Sequence, residues 1–113
     1  MAKKEEINPN DAEVWFNKGV ELRKLGDYGE AVKCFDRAIK IKPNYTEAWC
    51  AKGAALGKYL GKYEEAIKCF DKAVEINPNY AEAWRNKGVA LGNLKKYEEA
   101  IKCFDRAIEI DSN

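Results

Sequence analysis

At 113 residues the chain has room for one domain and not comfortably for two. Its 20 basic and 19 acidic residues leave a formal charge of +1, so no global field draws it to nucleic acid, an anionic membrane or a polyanionic substrate. Four cysteines without tight spacing, and no histidine, argue against a disulfide framework, a metal site or a cofactor.

The chain opens on a polar, charged stretch, Met1 to Asn10, with no apolar run able to act as a signal peptide or membrane span. The expected location is therefore the cytoplasm, with all four thiols reduced. Within this stretch Glu6-Ile7-Asn8-Pro9-Asn10 has the same residues as Glu75-Ile76-Asn77-Pro78-Asn79, so residues 1–11 read as the close of a preceding repeat. From Ala12 to about Leu25 good helix formers place Trp15, Gly19 and Leu22 on one face, which predicts a first helix, A. Gly26-Asp27 is a turn short enough to force an antiparallel neighbour. From Tyr28 to Ile41 apolar or small residues at Tyr28, Ala31, Val32, Phe35, Ala38 and Ile39 follow the helical i, i+3, i+4, i+7 pattern, which predicts a second helix, B. Lys42-Pro43-Asn44 ends it, because proline lacks an amide donor and disfavours helix in the residue before it. Asn44-Tyr45-Thr46 fits a glycosylation sequon but reads as a turn, since nothing argues for a secretory route.

The same unit then recurs twice. Tryptophan returns at Trp49 and Trp84, spacings of 34 and 35 residues, and Tyr63–Ile76 is identical to Tyr97–Ile110 at 12 of 14 positions. The copies run over residues 12–45, 46–80 and 81–113, each a helical hairpin, so about six helices are predicted. The second copy has one extra residue within Lys58-Tyr59-Leu60-Gly61, which should lengthen its helix A, bulge it or widen its turn.

The pattern W-x3-G, then A-x3-F, A and P resembles the tetratricopeptide repeat. The first copy supplies Trp15, Gly19, Ala31, Phe35, Ala38 and Pro43; the second Trp49, Gly53, Ala66, Phe70, Ala73 and Pro78; the third Trp84, Gly88, Ala100, Phe104 and Ala107. Two departures are consistent: lysine (Lys18, Lys52, Lys87) stands where the family has leucine, and leucine (Leu22, Leu56, Leu91) where it has tyrosine. A lysine stem covers apolar surface while its ammonium reaches water, so the fold tolerates the exchange.

The resemblance implies an all-α fold, a right-handed superhelical solenoid with the A helices on a concave face. It implies a non-catalytic scaffold that holds a peptide or helix of a protein partner in that groove. By repeat position the groove residues are Phe16, Asn17, Val20, Cys50, Ala54, Arg85, Asn86 and Val89, an apolar strip with a polar rim; small residues serving only superhelical curvature are the competing account. A groove thiol at Cys50 is expected to be exposed, whereas Cys34, Cys69 and Cys103 pack beside the phenylalanines. Chaperone-binding members of the family clamp an acidic C-terminal tail with lysines and asparagines. Here those positions carry Phe16, Val20, Ala51, Glu82 and Asn86, so no such tail is expected to bind.

Gly57-x3-Gly61-Lys62-Tyr63 has the wrong spacing for a phosphate loop, and i, i+4 pairs such as Glu64 with Lys68 are ordinary helix-surface charges. Neither points to an enzyme. On the third copy's helix B the apolar residues Phe104 and Ile108 lack a following helix, so part of this face should be exposed. Two accounts of it compete: the chain is an excised piece of a longer array, or the bare end pairs with another copy of itself, which makes self-association into a homo-oligomer the alternative role.

Overall fold

The computed structural model describes residues 10–112. Among these residues there are six α-helices and no strand: α1 (Ala12–Lys24), α2 (Tyr28–Ile41), α3 (Thr46–Ala54), α4 (Tyr63–Ile76), α5 (Ala81–Asn93) and α6 (Tyr97–Asp111). A π-helical turn, Ala55–Tyr59, continues α3. Successive helices pair as antiparallel hairpins, and each hairpin stacks on the next into a right-handed solenoid 55 × 29 × 21 Å in extent. The repeat-like segment at residues 1–11 lies, up to residue 9, outside the described residues.

Each A helix ends the same way. The amides of Asp27, Lys62 and Lys96 donate back to the carbonyls of Leu22, Leu56 and Leu91 at 2.9, 2.8 and 2.9 Å, closing the helix over a residue of positive φ. Glycine meets that need at Gly26 (φ 85°) and Gly61 (φ 70°), while Lys95 (φ 64°) adopts the left-handed conformation at a cost of roughly 1–2 kcal/mol. In the second copy the closing bond spans one residue more, and the surplus is absorbed as the π-helical turn. Aligning Leu25, Leu60 and Leu94 makes Tyr59 the inserted residue. The three outcomes open in the sequence thus resolve to a bulge of the helix. Its ring stacks on Tyr28 of α2, with centroids 4.1 Å apart and planes at 5°. That stack holds the bulge in place.

Within each hairpin the helices touch at glycine and phenylalanine. A Cβ added to Gly19, Gly53 or Gly88 would lie 2.5, 2.6 and 2.6 Å from the rings of Phe35, Phe70 and Phe104, closer than any side chain tolerates. Phe35 and Phe70 are 0% and 2% exposed, and alanines at 31, 38, 66 and 73 are fully buried around them.

Between hairpins the contacts are polar as well as apolar. The lysines that replace the family's leucine have a specific role beyond covering apolar surface. Lys52 and Lys87 bridge Asp36 and Asp71 of the preceding hairpin at 2.7 and 2.6 Å, and each ammonium lies 5.8 Å from the centroid of its own copy's tryptophan ring, Trp49 or Trp84. The indoles reach back too: Trp49 and Trp84 donate Nε1–H to the carbonyls of Pro43 and Pro78, both at 2.8 Å. Trp15 Nε1 is buried with no hydrogen-bond partner among the described residues; the proline six positions before it, Pro9, lies outside them.

Candidate functional site

The A helices line one open face, and the inserted turn shapes a hollow of about 470 Å³ in it. Its floor is small and apolar, from Ala54, Gly57 and Ala90 with the edge of Phe70, and Tyr59 and Tyr63 form one wall. Val89, 52% exposed, and Asn86 and Asn93 stand on the α5 side. Arg23 and Lys58 supply two cations, neither paired with a carboxylate among the described residues, while Glu82 supplies one anion. Glu82 is engaged with Tyr80, whose pKa is driven up by burial first and by the Glu82 charge and hydrogen bond after it. The Lys58 ammonium lies 5.5 Å from the Tyr59 ring centroid. The site therefore combines aromatic and apolar surface with two cations and one anion at its edge, while the Asn86 and Asn93 amides already donate to the Cys50 sulfur and the Val89 carbonyl.

Of the residues expected in the groove from repeat position, Ala54, Asn86 and Val89 come together here. Asn17 is exposed and Val20 half-buried on α1, outside the hollow. Phe16, Cys50 and Arg85 share one repeat position, and all three turn toward helix B of their own copy. Phe16 packs against Phe35 and Tyr45 with centroids 5.7 and 5.2 Å away. Arg85 sits at the far end with Phe104 and Ile108, 4.0 Å from Asp111. Cys50 corrects the expectation of an exposed thiol: it is 2% exposed in the main core beside Phe70 and Ala73, and Asn86 Nδ2 donates to its sulfur at 3.7 Å. Arg23, Tyr59 and Tyr63 escaped the sequence reading. The only signal for Tyr59 was the count of one surplus residue.

Burial pushes the Cys50 thiol from its ordinary value near 9 to about 12, with the Glu82 charge adding to it, and pushes Cys69 to about 11. All four cysteines are buried. A thiol-exchange reagent at pH 8 is therefore expected to leave the folded chain unmodified and to label all four sites once denaturant is added; labelling of Cys50 in the folded chain contradicts this burial. These folded-state values are raised, so the thiol contribution to stability is intact below pH 9 and is lost as pH climbs through 9 to about 12.

A broader depression of about 870 Å³ between α1 and α2 carries Trp15, Lys18, Lys33, Arg37 and Lys40. Three of its cations are already used: Lys33 pairs with Glu30 at 3.1 Å, and Lys18 and Arg37 lie 5.5 and 4.8 Å from the Trp15 ring centroid. It is a solvated charged surface.

Stacked helical hairpins with an open, lined face of this kind define a helical-repeat scaffold. Tetratricopeptide repeat patterns match residues 12–45 and 81–113, with further matches over 34–68 and 58–95, and the chain belongs to the tetratricopeptide repeat family. It is 41% identical over 55 residues to an uncharacterized protein of Methanocaldococcus jannaschii, covering 46% of this chain and 64% of that one. It is 35% identical over 57 residues to Superkiller protein 3 of Saccharomyces cerevisiae, covering 48% of this chain and 4% of that one. The chain thus spans less than two thirds of these relatives. Among solved structures, the first tetratricopeptide domain of Spaghetti bound to the HSP90 peptide SRMEEVD superposes with a TM-score of 0.88 at 29% identity, covering 95% of this chain and 84% of that one. The TPR2B domain of yeast Sti1 in complex with an Hsp70 peptide gives 0.87 at 33% identity, covering 89% and 80%. MamA, at 24% identity and a TM-score of 0.88 over 93% of this chain and 61% of that one, is a likeness of fold alone. No helix among the described residues is long and apolar enough to cross a membrane.

Proposed function

We propose that this chain is a non-catalytic, cytoplasmic interaction scaffold that takes a short peptide or helix of a protein partner into the concave hollow bounded by α1, the π-helical turn and α5. The observation that carries this reading is the pairing of an apolar, aromatic-walled floor with two cations that no carboxylate of the described chain neutralises. Protein relatives of the same fold that hold HSP90 and Hsp70 peptides support the class of ligand. The ligand itself differs. Positions that carry the family's acidic-tail clamp hold Phe16, Val20, Ala51, Glu82 and Asn86 here, and a carboxylate at Glu82 repels a carboxylate tail. Titration with the peptide SRMEEVD is expected to give no saturable binding up to about 100 μM, an affinity weaker than about −5.5 kcal/mol. Low-micromolar binding overturns this assignment. The reading as a whole is tested by partner capture with groove variants, set out in the Discussion.

A further inference from the structure

The second copy departs from its two neighbours at the residues that shape the concave hollow. Val20, Ala54 and Val89 share one repeat position, and the middle copy has the small residue, which leaves the floor of the 470 Å³ hollow open. Arg23, Gly57 and Gly92 share another. A Cβ on Gly57 would meet that of Ala66 at 3.1 Å, so glycine lets the bulged turn close against α4. The Leu60 amide donates to the Ala55 carbonyl five residues back at 3.2 Å, the bond of a π-helical turn. In the first copy Leu25 follows Lys24 directly, whereas in the second Tyr59 intervenes and its ring becomes a wall of the hollow. Stacked on Tyr28 yet 40% exposed, that ring is fixed before any ligand arrives and still offers surface to one.

The charges around the hollow are polarised. The A helices run parallel, so Glu82 near the start of α5 and the cations Arg23 and Lys58 near the ends of α1 and the π-helical turn lie at opposite edges. Glu82 is engaged with Tyr80. Lys24, the counterpart of Lys58, pairs with Glu21 three residues back at 3.5 Å; three residues before Lys58 stands Ala55, and Lys58 has no ion pair among the described residues.

We propose, resting on the groove reading above, that the inserted Tyr59 sets ligand specificity: the hollow takes one aromatic side chain of a partner peptide, with an adjacent carboxylate held by Arg23 and Lys58. The ring packs against the Tyr59 and Tyr63 walls over Ala54, with Val89 opposite. The carboxylate turns to the cationic edge, away from Glu82. The peptide SRMEEVD offers carboxylates without a ring and does not satisfy this site.

N-acetyltryptophan, an aromatic ring beside a carboxylate, serves as the probe and is titrated into the intact, nitrogen-15-labelled chain, with neutral N-acetyltryptophanamide as its control. The acid is expected to shift the amides of Lys58 and Val89 saturably with a Kd of about 1 mM, and the neutral amide to bind about fivefold more weakly. Arg23→Glu with Lys58→Glu should remove that preference. Deletion of Tyr59, which returns the copy to the spacing of the first, should weaken binding of the acid about tenfold while the helical circular dichroism is retained. Tyr59→Ala, which keeps the residue count, and Ala54→Leu, which fills the floor, should each weaken it as well, so the test survives if the deletion does not fold. Three results overturn the proposal: equal binding of the two probes; binding of the acid indifferent to Tyr59→Ala and Ala54→Leu; or Lys58 and Val89 amides that shift with protein concentration alone, meaning that a second copy fills the hollow. Failure of the groove reading looks different: partner capture indifferent to Val89→Asp with Arg23→Glu, while N-acetyltryptophan still binds at the hollow.

Discussion

Phe70→Ala is expected to cost about 3–5 kcal/mol, a large fraction of the roughly 5–15 kcal/mol that stabilises a domain this size. The ring is 2% exposed and lies against Gly53, within a core that also takes in Cys50, Ala66, Ala73 and Ala83. Removing it empties a space that small residues cannot refill, and it does so in the central hairpin. Because a solenoid is held by nearest-neighbour interfaces, the loss there uncouples both flanking hairpins. Phe104→Ala makes the informative comparison. Its contact with Gly88 is as tight as that of Phe70 with Gly53, yet the ring is only half-buried, so the expected cost is about 1–2 kcal/mol. Urea denaturation followed by circular dichroism separates the two. Equal costs would mean that the hairpins are independent units and that the central position has no special weight.

The second large effect is expected in binding. Val89→Asp and Arg23→Glu change the apolar wall and the positive edge of the hollow together. Val89 is 52% exposed and Arg23 makes no ion pair among the described residues, so the fold should be unaffected. A partner anchored at the hollow should lose about tenfold or more in affinity from the pair, the scale on which central anchor contacts act. Lys68→Glu on the exposed side of α4 is the matched charge change away from the hollow, and capture should survive it. Partners captured equally by all three proteins would remove the hollow from the account.

Much of the fold was legible because the repeat speaks three times. Trp15, Trp49 and Trp84 set the period, and the small residues opposite each phenylalanine announced helix contacts that the structure places at Gly19, Gly53 and Gly88. The role of the lysines was only half legible. Apolar cover follows from their stems, but the partners Asp36 and Asp71 lie 16 residues upstream on another helix, and only stacking brings them within reach. The surplus residue could be counted and not shaped, since a bulge, a longer helix and a wider turn use the same letters. What selects the bulge is Tyr28, a ring from the preceding hairpin on which Tyr59 stacks. The groove was legible in part for a related reason. Repeat position fixed which helix face Ala54, Asn86 and Val89 occupy, but the position shared by Phe16, Cys50 and Arg85 lies close to the hairpin's own helix B, and superhelical curvature decides which side of that boundary faces the open hollow.

The central claim, that the concave hollow is where a partner sits, is tested most directly by site-specific photo-crosslinking in a native cell extract. A photoreactive phenylalanine analogue is placed at position 89 in the hollow and, separately, at position 68 on the outer face of α4. The account predicts discrete, competable protein adducts from position 89 and none from position 68. Adducts that form from position 68 while position 89 stays silent would contradict it.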